Sequence, residues 1–188
     1  MSTQASLAYQ IRLKDTSRSH LSPTLIPSNL HLATVLTPVP GPSEVLIRIR
    51  AAALNYRDIL VQANSPLYPQ SPKPNLVPCA DGAGTIVSVG PGSVWAGKEG
   101  SAVVLVTNDG WMAGDDASQY GAEGTKGTLG GGEADGTLRQ YAVVRDELVL
   151  PAPRNLGFEE TASMVACAGT AVHALESIKI REGMTVLT

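Results

Sequence analysis

The chain has little of several things that would have narrowed its function early. Of 188 residues only two are cysteine, Cys79 and Cys167. They form no CxxC pair, and His20, His31 and His173 lie scattered. No zinc-ligand spacing appears anywhere. Two ordinary reduced thiols fit a cytosolic chain better than a disulfide does. Aromatic residues are 4% of the chain, so a core must be built from Val, Leu, Ile and Ala. There is no basic excess, the formal net charge being -3, which removes the electrostatic footprint of a nucleic-acid binder. No apolar run approaches the roughly 18 residues of a membrane span. The first residues carry no charged-then-apolar leader pattern. A cytoplasmic soluble protein is the expectation.

What is present is 43% hydrophobic residues, nineteen Gly and thirteen Pro. That balance suits a turn-rich, mainly β domain. Strands are expected over 7–13, 29–37 and 44–53, each alternating or rich in β-branched residues. The run at 38–42 (PVPGP) separates the last two, because proline removes ladder donors. The segment 18–27 is Ser/Pro-rich and reads as a loop. A short helix of about 56–63 follows the third strand. Residues 64–78 hold five prolines and read as an irregular loop or flap. Further strands are expected at 83–89, 103–107, 138–144 and 147–150.

Residues 107–136 hold nine glycines, six acids and one lysine, with no periodicity. A structureless loop of that length is unusual in a compact domain, and disorder is expected for its middle. Its 127–132 stretch (GTLGGG) lacks the strand before and helix after that a phosphate loop needs. After 157 the period becomes helical, with Phe158, Ala162, Val165, Val172 and Leu175 in register and Gly169 a candidate break between two helices. Residues 184–188 read as the start of a buried strand.

The junction at 51–60 (AAALNYRDIL) organises the rest. Asn55 is placed to cap the helix, with Asp58 three residues on, where a carboxylate meets free backbone N–H groups. A capped turn and a functional site are both compatible with these four residues.

Five stretches in order carry a resemblance. They are 54–59 (LNYRDI), 76–90 (LVPCADGAGTIVSVG), 135–144 (DGTLRQYAVV), 155–162 (NLGFEETA) and 170–175 (TAVHAL). Together the chain resembles the N-terminal, GroES-like half of the medium-chain dehydrogenase/reductases, nearest the zinc-independent quinone-reductase and fungal alcohol-dehydrogenase-like branch. The resemblance implies a mainly β, partly open GroES-like barrel over 1–157. A helical connector then leads over 158–188 into the first strand of a nucleotide-binding Rossmann domain. The glycine-rich turn that receives the pyrophosphate follows that strand in the family, so no useful NAD(P) affinity is expected of these residues alone.

The resemblance also sets the chemistry to be expected. Zinc members need a Cys, a His and a second Cys as catalytic ligands. Here Asn55 stands at the first place and Ala80 at the second, with Asp81 beside it. Ala166 stands at the third place without a gap, or Cys167 with a shift of one. A zinc-free site is implied. Family members of that kind transfer hydride from NAD(P)H to a carbonyl, a quinone or an activated C=C bond. By resemblance Asn55 faces the substrate as the catalytic residue, and Tyr56 and Thr170 contact the cofactor. The plain structural roles are a cap for Asn55, packing for Tyr56 and a hydroxyl bonded one turn back for Thr170. Arg57 and Asp58 read as structural, and Cys79 and His173 as packing or surface residues. The turn at 100–103 (GSAV) lacks the two charges usual in the family, and the 18–27 insert also departs from it. An alternative is therefore a catalytically inactive truncated module that acts through a partner or has no stable activity; self-association through exposed C-terminal helices is a further expectation.

Overall fold

The computed structural model describes residues 4–14, 28–107, 127–178 and 180–186. The expected loop at 18–27 and the middle of the glycine-rich stretch lie outside the described residues.

Among the described residues, seven strands and two helices make up the fold. Strands β1 (Ala5–Ile11) and β2 (Leu30–Leu36) pair antiparallel as a separate ribbon. Strands β3 (Glu44–Ala53), β4 (Asp81–Val89), β5 (Ala102–Leu105), β6 (Tyr141–Arg145) and β7 (Val149–Pro151) form one antiparallel sheet, in the order β6-β3-β4-β5-β7. Helix α1 (Tyr56–Gln62) follows β3, and helix α2 (Phe158–Ser177) follows β7.

The sheet is curled, and its connectivity requires it. Its two edge strands, β6 and β7, are joined only by the 3-10 turn Asp146–Leu148. Five flat strands would span about 19 Å edge to edge. Four residue steps reach at most about 14 Å. The sheet must bend its edges toward each other, which gives the partly open barrel that the resemblance implies; among the described residues no ladder closes it. Val45, Ile47, Ile86, Val103, Leu105 and Val144 fill the interior, with Trp95 packed among them. Trp95 donates its indole N–H to the Asp146 carbonyl at 3.2 Å, tying the 3-10 turn to that core. At Gly84 a Cβ would overlap the Arg48 carbonyl and crowd Ile47, so β3 and β4 approach as closely as they do only because β4 has no side chain there.

The ribbon is bridged to the segments that lead into β6 and β4, from Ala8 to Arg139 and from Ile11 to Leu76. Residues 127–136 are ordered and partly buried, where sequence alone suggested only a loop. Leu129 N–H donates to the Thr107 carbonyl, and Gly136 N–H to that of Val77. The glycines let this segment lie against backbone: a Cβ on Gly136 would overlap the Cys79 carbonyl.

One expectation needs correcting. Helix α2 runs unbroken through Gly169 for 20 residues. An isolated glycine costs only about 1 kcal/mol relative to alanine, too little to break a run in which Ala166, Ala168, Ala171 and Ala174 favour helix on both sides of it. Of the segment 184–188, expected as the start of a strand, Met184–Val186 are described, and they pair with no strand among the described residues. A strand needs a neighbour to take its backbone hydrogen bonds.

Candidate functional site

The site lies where β3 ends, α1 begins and α2 crosses them. A register shift between Ile49 and Ala51 bends the end of β3. Asn55 then takes the N-cap position of α1 with extended backbone (φ -121°, ψ 165°), and its N–H donates to the Asp58 carboxylate at 2.8 Å. Its side chain faces two residues distant in sequence. The amide nitrogen donates to Asp81 Oδ2 at 2.9 Å. The amide oxygen accepts from the Cys167 thiol at 3.4 Å. A carboxylate only accepts, so Asp81 fixes which way the Asn55 amide points.

Asp81 is wholly buried at the start of β4. Burial pushes its pKa above 3.8, opposed by the Asn55 amide, the Ala166 backbone and Arg57. Its second oxygen, Oδ1, is buried without a hydrogen-bond partner. An acid in the apolar run 76–86 has to find a partner somewhere. That signal was legible, but it did not say that the partner is Asn55.

Around this trio the other candidates sort by geometry. Tyr56 is 62% exposed beside Asn55. Thr170 lies three residues beyond Cys167 on α2, hence on the same side of the helix. Its hydroxyl donates to the Ala166 carbonyl at 2.7 Å, the back-bonded arrangement. Of the two residues considered for the third metal-ligand place, Cys167 is the one whose side chain meets Asn55. Ala80 is buried in the core and offers no donor atom. Among the described residues no group of three His, Cys, Asp or Glu side chains could hold a metal ion.

Arg57 and Asp58 are structural partners. Arg57 bonds Asp58 at 3.0 Å and the Leu129 carbonyl at 2.9 Å, linking α1 to the ordered end of the glycine-rich segment. Cys79 is buried, and its thiol is pushed up to about 12, first by burial and then by Asp58. His173 is exposed on α2, where its carbonyl accepts from the Ser177 hydroxyl.

The curled antiparallel sheet, with α1 inserted after β3 and α2 following β7, is a fold that known proteins share. Residues 41–154 match the family described as the alcohol dehydrogenase GroES-like domain. The chain belongs to that family, the N-terminal domain of the medium-chain dehydrogenase/reductases. It is 37% identical over 157 residues to the zinc-type alcohol dehydrogenase-like protein YogA of Leptosphaeria maculans, which covers 78% of this chain and 41% of that protein. It is 32% identical over 151 residues to the trans-enoyl reductase tazE of Aspergillus terreus, covering 77% and 42%. Among solved structures it resembles a putative alcohol dehydrogenase from Sinorhizobium meliloti 1021, with TM-score 0.72 and 25% identity over 94% of this chain and 47% of that one. The chain thus spans about two fifths of the length of these curated relatives. Among the described residues no helix is long and apolar enough to cross a membrane.

Proposed function

We propose that this chain is the substrate-domain portion of a zinc-independent, NAD(P)H-dependent oxidoreductase that delivers hydride to a carbonyl, quinone or enone. One observation carries the reading: Asn55 is held between Asp81 and Cys167 with its amide orientation fixed. One amide hydrogen is committed to Asp81. The second is the group available to a substrate oxygen that gains negative charge as hydride arrives. Because Asp81 has already aligned the amide, that donation needs little reorganisation.

The donor set does not fit a catalytic zinc. The places that carry its ligands in zinc members hold an amide and a methyl group, neither of which replaces a thiolate or an imidazole. It does fit a dinucleotide lying along the exposed side of α2. Tyr56 borders Asn55 from α1, and Thr170 lies one turn beyond Cys167. NAD(P)H supplies the hydride when bound, and its pyrophosphate turn belongs to the nucleotide-binding domain of the family, so residues 1–188 alone bind it weakly. The protein is cytosolic in this reading.

The test is NADPH fluorescence on the 188-residue chain. Binding at micromolar concentration contradicts the division of labour proposed here. A second reading is a non-catalytic module that works through a partner or by self-association. It is favoured by the exposed apolar residues Met164, Val172, Leu175 and Ile178 on and after α2. A concentration-dependent mass in sedimentation, together with the absence of turnover in a chain that includes a nucleotide-binding domain, would support it.

A further inference from the structure

A cavity of about 570 Å³, lined by no residue of the β1–β2 ribbon, is not used by the reaction above. Its walls come from the Trp95 loop, from the segment leading out of β7 and from the first turn of α2. The walls are mostly apolar, with Trp95, Pro151 and Phe158 the largest surfaces. Two cations, Lys98 and Arg154, line it, and no acidic residue does. In a chain of net charge -3, that is a local reversal of sign.

Lys98 leans over the Trp95 ring at 5.1 Å and donates only to the Val94 carbonyl, at 3.3 Å. Among the described residues neither Lys98 nor Arg154 pairs with an acid. Thr161, on the inner wall, is 3% exposed, and its hydroxyl has no hydrogen-bond partner. A buried hydroxyl left unpaired is costly, so a ligand that supplies the missing partner gains by it. Thr161 and Pro153 are shared with a neighbouring cavity of about 350 Å³ between α2 and strands β5 and β7, lined by Val104, Leu105 and Met164 among others. A cationic mouth thus borders one unpaired hydroxyl, and an apolar recess shares Thr161 and Pro153 with it.

We propose that this cleft binds a small amphipathic carboxylate. The carboxylate lies between Lys98 and Arg154 and accepts from the Thr161 hydroxyl, and its aliphatic body lies along Pro151 and Phe158. Cavities of this size suit small ligands, with apolar walls for binding and a few polar groups for orientation. A free phosphate fits less well, because its second charge must be desolvated against walls that offer it nothing. The proposal does not rest on Asn55 or on the hydride-transfer reading.

Octanoate is the probe, read by Trp95 fluorescence in a Trp111→Phe background, where Trp95 is the one remaining tryptophan of two. We expect a saturable change, weakened about tenfold or more in Lys98→Met/Arg154→Met, and weakened to a smaller degree in Thr161→Val. Both cations are exposed, so the double variant keeps its fold, which circular dichroism checks. Octylamine and inorganic phosphate should not displace octanoate, and Asn55→Ala should bind it as the parent does. The proposal is overturned by an absence of saturation at millimolar octanoate, or by binding that survives loss of both cations. Displacement by octylamine or phosphate also overturns it, as does loss of binding in Asn55→Ala, which would put the ligand in the other site.

Discussion

Asn55 and Asp81, 26 positions apart in sequence, meet through a 2.9 Å hydrogen bond at the junction of β3, α1 and β4. The contact joins a half-buried amide to a wholly buried carboxylate, and it makes the Asn55 side chain a fixed donor.

The first prediction concerns the pH response of that pair. Burial raises the folded pKa of Asp81 above its unfolded value near 3.8. Between the two values the folded state holds more protons than the unfolded state, so stability falls as pH rises through this window. Urea midpoints from pH 3 upward should show that fall, and Asp81→Asn should flatten it. A parent slope retained in Asp81→Asn would mean that another group sets it.

The two thiols should separate cleanly. Cys167 is exposed and Cys79 is buried with its pKa near 12. A maleimide added to the native protein at pH 7.5 should modify Cys167 once, with Cys79 reacting only in denaturant, as intact mass will show. The raised Cys79 pKa also predicts stability that is complete below about 9 and declines toward 12, because the unfolded thiol ionises first. Cys79→Ser should remove that decline.

Arg57 ties α1 to the glycine-rich segment through the Leu129 carbonyl. Arg57→Ala should cost about 1.5–3 kcal/mol, the scale of a charged hydrogen bond left unmade. Hydrogen exchange should report it locally, with the Leu129 and Gly130 amides losing protection before the β3–β4 ladder does. Uniform loss across the sheet would place the effect elsewhere.

Gly84→Ala tests the close approach of β3 and β4. The added methyl meets the Arg48 carbonyl. Overpacking of this kind costs roughly 1–3 kcal/mol, and a backbone obstacle puts it at the upper end. A urea midpoint equal to the parent's would show that the strands have room to separate.

The strands were legible wherever alternation met a turn signal. Val45, Ile47 and Ile49 announced β3, and the PVPGP run marked where β2 had to stop. The helical period after 157 was also legible, but Gly169 was read as a break because local propensity says nothing about what a helix packs against. The packing of 127–136 was hidden for the same reason: glycines signal freedom in sequence, and only the fold shows that Gly130 and Gly136 lie against the Pro78–Cys79 backbone. Asn55, Tyr56 and Thr170 came from resemblance to the family, since a cap and a substrate donor look alike in one dimension. The Asn55–Asp81–Cys167 trio needed the fold, because it spans 112 positions.

The central claim is that Asn55 orients a hydride acceptor without a metal. Its most direct test is NADPH-dependent reduction of an enone by a chain in which residues 1–188 continue into a nucleotide-binding domain, with and without a metal chelator. The account predicts turnover indifferent to the chelator and about a hundredfold lower in Asn55→Ala, the scale of losing one oxyanion donor. Turnover abolished by the chelator, or undiminished in Asn55→Ala, would contradict it.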